Sequence, residues 1–151
     1  MFFCVAVMHR MLLAIAFSFF PFLKCSPQGQ ISVIIDNFSS DDGVCIVCLH
    51  NNAETFSGKG KPIQCTSVAI INKIAHIAFE NLPEGNYSIL VIHDANKNNE
   101  FDKNKLGIPR EGYGALKNDL PFASAPKFKN NMVTLRNYDT LNFKIRLRYL
   151  F

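Results

Sequence analysis

The chain has 151 residues, 16 Lys/Arg against 12 Asp/Glu, and a formal net charge of +4. That length holds one domain, and from Cys25 onward the balance falls to 14 against 12. A net of +2 is too small to point to nucleic acid or another polyanion.

The first feature along the chain is Met11–Leu23 (MLLAIAFSFFPFL), a 13-residue apolar run behind His9 and Arg10. A membrane span needs about twenty residues, so the run reads as a secretory signal peptide, with Met8 an alternative start. Cleavage near Cys25–Ser26 is expected, although Lys24 suits no small-residue cleavage site. The expected organisation is a signal peptide over 1–25 and a single β-sandwich domain over 26–151; the alternative is an uncleaved N-terminal anchor.

Short strand-like segments follow. Gln30–Phe38 puts Ile31, Val33 and Ile35 on one face, and Gly43–Asn51 is apolar on both faces, as a central strand would be. Residues 52–62 read as a loop. Ser67–Asn72 and Ile74–Leu82 are joined at Asn72-Lys73, and the second sets Ala75, Ile77 and Phe79 against His76 and Glu80. Leu82-Pro83-Glu84-Gly85 has the composition of a type I turn. Asn86–His93 is again apolar on both faces. At the end of the chain Leu141, Phe143, Ile145, Leu147 and Tyr149 alternate with Asn142, Lys144, Arg146 and Arg148, the period of a half-buried strand. The expected fold is all-β, an antiparallel β-sandwich of about seven strands. One long loop, about 95–131, spans the gap before the last strands. Phe101, Leu106, Ile108, Tyr113, Leu116, Phe122 and Phe128 mark it as ordered.

Three motifs bear on chemistry. Cys45 and Cys48 lie inside a strand, where residues three apart face opposite ways. A redox pair sits at a helix N-terminus and a zinc site needs four ligands. Two buried small residues, one of them bonded to Cys65 in an oxidising compartment, is the preferred reading. Gly107–Gly114 (GIPREGYG) matches neither a Walker loop nor a dinucleotide fingerprint. Lys144, Arg146 and Arg148 form a basic stripe suited to guarding a sheet edge.

The stretch His93–Asp102 (HDANKNNEFD) is the most informative. Asp94, Asn96, Asn98 and Asp102 occupy positions one, three, five and nine of a calcium loop of the EF-hand type, with Phe101 at position eight. Asn99 stands at position six, which calls for left-handed backbone and is normally Gly. Lys105 stands at position twelve, normally a bidentate Glu, which excludes a complete EF-hand. Either a half-loop recruits oxygens from elsewhere, with Glu111 a weak candidate, or the stretch is an Asn-rich turn that binds nothing. On the first reading the four side-chain oxygens converge, and loss of Asp94 lowers stability in calcium but hardly in chelator.

LPEGNY (82–87), VIHDANKNNEFD (91–102), LGIPREGYG (106–114) and PFASAPKF (121–128) together resemble the bacterial domain of unknown function 2141 family, across about a third of the chain. Asn99 replaces the family's usual glycine, and Ala115-Leu116-Lys117-Asn118 matches its Phe-Ser-Asn block only at Asn118. The resemblance implies a secreted or periplasmic β-sandwich similar to prealbumin-like and carboxypeptidase-regulatory domains. It implies no activity, and fold analogy supplies none.

The expected function is that of an exported, non-enzymatic β-sandwich module. A Ca2+ ion orders its loop, and it binds a protein or glycan at the cell envelope. The rival is a hydrolase using Glu111, His93 and Asp102. His93 and Asp94 are neighbours on a strand and face opposite ways, so they form no direct pair, and a structural role for His93 is favoured. An enzyme would aim His93 or Glu111 into a pocket; a module would saturate them with backbone bonds or metal.

Overall fold

The computed structural model describes residues 28–150 except Ala123; the signal-peptide reading of 1–25 lies outside the described residues. Two sheets face each other. The smaller has the order β4-β1-β8, formed by Ile74–Leu82, Gly29–Asp36 and Thr140–Arg146. The larger has the order β3-β2-β5-β6, formed by Gln64–Val68, Val44–His50, Gly85–Asp94 and Tyr113–Ala115, and β7 (Val133–Leu135) also pairs with β5. The all-β sandwich expected from the alternating segments is the fold. One pairing departs from the antiparallel expectation: β1 and β8 run parallel, Val33 beside Phe143 and Ile35 beside Ile145. Alternation shows which face a strand buries but not the direction of its neighbour.

Ile31, Val33 and Ile35 of β1, Ala75 and Phe79 of β4 and Ile145 of β8 pack in one core with Cys45, Val47 and Leu49 of β2 and Tyr87, Ile89 and Val91 of β5. The five-stranded sheet is covered on its other face as well. There Phe56, Ala115 and Leu120 are buried, with Leu90, Tyr113 and Phe128 packed against them. Phe56 ends the one-turn helix α1 (Ala53–Phe56), capped by the Asn52 side chain on Thr55 N at 3.0 Å, and Phe128 begins α2 (Phe128–Asn131). This second core takes in Leu90 on the other face of β5, and His50 at the end of β2 lies edge-on to its Phe56.

Turn chemistry fixes the connections. Asn72 and Lys73 have φ of 53° and 59°, the left-handed pair of a two-residue hairpin turn. Asp41 accepts both their N–H groups, at 3.0 and 2.6 Å. The strand before this turn is Gln64–Val68 rather than Ser67–Asn72. It is held to β2 by the Cys48–Cys65 disulfide, whose Cα atoms lie 4.1 Å apart. Cys45, on the opposite face, is a buried free thiol. From Leu82 to Gly85 the chain passes from one sheet to the other, and Tyr87 Oη donates to Pro83 O at 2.9 Å across the corner.

The 95–131 stretch is not one loop. The Tyr-Gly-Ala segment of β6 pairs with Leu90–Ile92, and β7 pairs further back along β5 with Gly85–Tyr87. Two excursions therefore leave the same edge of β5 and return to it, one before β6 and one between β6 and β7. Only Gly fits at 114, where a Cβ would lie 2.6 Å from Ile145 Cγ2. A three-residue strand is too short to carry a readable period.

Candidate functional site at the Asp94 loop

β5 ends at His93 and Asp94, which do face opposite ways. His93 points between the sheets and is 1% exposed. Its Nε2 lies 2.8 Å from Asp42 O, and its Nδ1 lies 2.8 Å from Tyr149 Oη, which accepts from Ser39 N at 3.0 Å. With the ring hydrogen on Nε2 every group is matched: Nε2–H donates to the carbonyl and Tyr149 O–H donates to Nδ1. Phe38 packs edge-on against the ring. Tyr149 needs Gly112, because a Cβ there would lie 2.3 Å from the tyrosine ring. Nothing in the sequence spacing marks Tyr149 as the partner of His93, since they are 56 residues apart.

Asp94 turns outward into the loop, yet is 0% exposed. Its Oδ1 accepts from Asn98 N at 3.1 Å and its Oδ2 from Asn99 N at 2.8 Å. Asn99 has φ of 61°, the left-handed backbone that position six calls for. Asn96 Oδ1 also accepts from Asn98 N, and Asn98 Oδ1 accepts from Glu100 N. The side-chain amides of Asn96 and Asn98 donate to the two oxygens of Asp102, at 2.8 and 3.1 Å. The four side chains named from the spacing are thus linked to one another, through N–H groups.

Glu111 returns to this loop. Its Oε1 accepts from Ala95 N at 3.3 Å and its Oε2 from Asp102 N at 3.0 Å, so one carboxylate ties the first residue of the excursion to its ninth EF-hand position. Beyond it Arg110 N donates to Asp102 O, and Asn104 Oδ1 collects the N–H groups of Leu106 and Ile108. The excursion closes where His93 N donates to Gly112 O at 2.8 Å. Gly43, with φ of 80°, lies under the root, where a Cβ would sit 2.0 Å from Asp94 O.

Among the described residues no three His, Cys, Asp or Glu side chains cluster as a ready metal-ligand set. A cation here would need amide and backbone oxygens besides the carboxylates. Lysines and arginines of the loop do not neutralise those carboxylates: among the described residues the one ion pair is Lys144–Asp36, at 2.8 Å. That pair and the Arg148 guanidinium, which donates to Leu120 O, tie down two members of the basic stripe.

The residue most clearly missed is Asn131, 0% exposed. Its Oδ1 accepts from Lys117 N and Asp119 N, and its Nδ2 donates to Asp119 O and Lys127 O. It clasps the second excursion as Glu111 clasps the first.

Surface clefts of about 370, 420 and 380 Å³ are lined respectively around Arg146 and Arg148, around Ile34 and Phe143, and around Lys103 and Arg110. None of the three includes His93, Asp102 or Glu111.

A family model described as an uncharacterized protein conserved in bacteria (DUF2141) matches residues 33–142. The chain belongs to the DUF2141 family. The matched span runs from β1 into β8 and contains both excursions of this DUF2141 domain. No curated protein and no solved structure matches the chain. Among the described residues no helix is long and apolar enough to cross a membrane.

Proposed function

We propose that this DUF2141 protein is an exported, non-enzymatic module with a binding or structural role at the cell envelope, its partner a protein or glycan, and that Ca2+ orders the Asp94 loop. The observation that carries the cation reading is the loop's geometry. Asp94 at the root accepts the N–H groups of positions five and six, position six is left-handed, and the carboxylates of Asp94, Asp102 and Glu111 are brought to one segment without a cationic partner among the described residues. A hard cation favours such a set of oxygens. Rotating the Asn96 and Asn98 amides would exchange their N–H groups for oxygens beside Asp102. Export is supported by the apolar run at Met11–Leu23 and by the Cys48–Cys65 disulfide, which persists in oxidising compartments. The non-enzymatic reading is supported by His93 and Glu111, whose polar atoms are taken up by Tyr149 and backbone groups.

The test is a calcium titration followed by calorimetry and melting temperature, on wild type and Asp102→Asn. Asp94→Ala is the wrong probe, because Asp94 holds two backbone N–H groups and its loss costs stability with or without calcium. At about a hundred times the dissociation constant, calcium should stabilise the wild type by about 2.7 kcal/mol. Asp102→Asn should lose most of that gain and melt close to the wild type in chelator. An equal calcium shift in both proteins, or none in the wild type, removes the cation from the reading.

A further inference from the structure

The two outer strands of the smaller sheet are treated differently. On β8 the far edge is occupied: Asn118 donates through Nδ2 to Lys144 O at 2.9 Å and accepts from Arg146 N at 2.7 Å. A side chain there stands in for a missing strand. On β4 no such cover exists among the described residues. Ile74 exchanges both its backbone bonds with Ile71, at 2.9 and 3.1 Å, across the Asn72-Lys73 turn. Its N–H and C=O therefore point away from β1. Strand geometry alternates these groups every second residue, so the N–H and C=O of His76, Ala78 and Glu80 point away from β1 too. No described backbone group meets them. The strand Ile74–Leu82 (IAHIAFENL) carries no proline and no lysine to blunt its edge, and its break in step with β1 comes only past Phe79, near Asn81.

We infer that β4 pairs antiparallel with β4 of a second copy of this chain, about a two-fold axis at Ala78. The register follows from which groups are free. Ile74 is engaged, so His76, Ala78 and Glu80 are the residues with outward groups, and the pairing that uses all three sets Ala78 against Ala78 and His76 against Glu80. Each of those pairs exchanges hydrogen bonds. The side chains agree with that register. His76 and Glu80 are exposed on the same outer face, so the two-fold makes two imidazole–carboxylate contacts from one pair of residues, the self-complementarity that an isologous interface requires. The small Ala78 at the centre leaves both pairs room. On the inner face Ile77, partly exposed at the edge, comes opposite Phe79, extending the apolar core across the joint. The pairing ends where β4 breaks step with β1, between the Gly29–Leu82 and Ile31–Phe79 pairs, and Asn81 turns to φ of 58°. The result is one continuous six-stranded sheet, the strand-addition mode of recognition.

Sedimentation equilibrium of the purified full chain tests this, with circular dichroism confirming that each variant folds. The wild type should be a dimer in reversible exchange with monomer. His76→Glu places Glu against Glu80 twice and should raise the dimer dissociation constant about tenfold or more. Adding Glu80→Lys to that variant restores opposite charges and should return the constant to within about threefold of wild type. Ala78→Pro removes the central outward donor without touching the bonds to β1 and should leave monomer. A wild type that is monomeric at all accessible concentrations overturns the inference. So does association that His76→Glu leaves unchanged, which would place the contact elsewhere, including the apolar N-terminal run.

Discussion

The two excursions from the edge of β5 solve one problem in opposite ways. Each leaves and rejoins the sheet, and each is clasped by one buried polar side chain bonded to backbone groups, Glu111 in the first and Asn131 in the second. The second also drops Leu120 and Phe128 into the small core over the sheet. The first has little to bury: Phe101 meets Tyr113 edge-on, and Leu106 is 83% exposed. Its order rests on carboxylates and amides instead. An apolar plug answers mainly to temperature and denaturant, whereas a network of carboxylates and amides also presents oxygens to a cation. On the cation reading proposed above, the first excursion is the part of the molecule that an ion would order, and the second is scaffold.

The comparison breaks most visibly at Asn131. Asn131→Ala leaves Lys117 N, Asp119 N and Asp119 O without their partner, while Lys127 O keeps its backbone N–H bonds, and should cost about 3 kcal/mol, read as a shift in the urea midpoint. Asn131→Asp keeps the two acceptor contacts but turns a carboxylate oxygen toward the Asp119 and Lys127 carbonyls in a fully buried site, so it should cost at least as much as alanine. Calcium should change neither result. If Asn131→Ala melts like wild type, the second excursion is held by its apolar side chains alone.

Glu111→Gln gives the next effect. One oxygen still accepts an N–H, while the new amide N–H₂ faces a second donor, so about 2 kcal/mol should be lost. That loss should persist in chelator, because both bonds of Glu111 go to protein N–H groups. Asp102→Asn, whose carboxylate meets only side-chain amides, should act in calcium alone. A Glu111→Gln variant destabilised only when calcium is present would move Glu111 from clasp to ligand.

This division explains what could be read from the sequence. Alternation exposed the core of β1, β4 and β8, since one wet face leaves a period of two. The double-faced strands β2 and β5 were legible as central, although the second core over them was not, because it is assembled from Phe56, Leu120 and Phe128, far apart in the chain. The Asp94 loop was legible because its side chains bond within a few residues of one another. Strand β6 was not, because Gly114 and the preceding Gly112 are dictated by Ile145 and Tyr149, more than 30 residues away. Asn131 and Tyr149 were silent for the same reason: a buried polar clasp is defined by what lies across from it, and a single sequence does not show that.

The smallest effect concerns acid. His50 ends β2 beneath the second excursion, 4% exposed, edge-on to Phe56. Its Nδ1 lies 3.3 Å from Thr55 Oγ1, and its Nε2 meets no partner among the described residues. Desolvation holds its pKa below the ordinary 6.5, against a smaller upward pull from a hydrogen bond with Thr55. The unfolded chain then binds the proton more readily than the folded one, so stability is full above the unfolded pKa and falls as pH drops through about 6.5. The slope cannot exceed about 1.4 kcal/mol per pH unit for one such group. His50→Leu replaces the ring with an apolar side chain, changes stability at pH 7 by under about 1 kcal/mol and should flatten this slope between pH 7 and pH 5. Urea midpoints at pH 7, 6 and 5, wild type against His50→Leu, read it directly. Parallel curves for the two proteins would show that the acid response belongs to some other group, and the second excursion would then be indifferent to protons as well as to calcium.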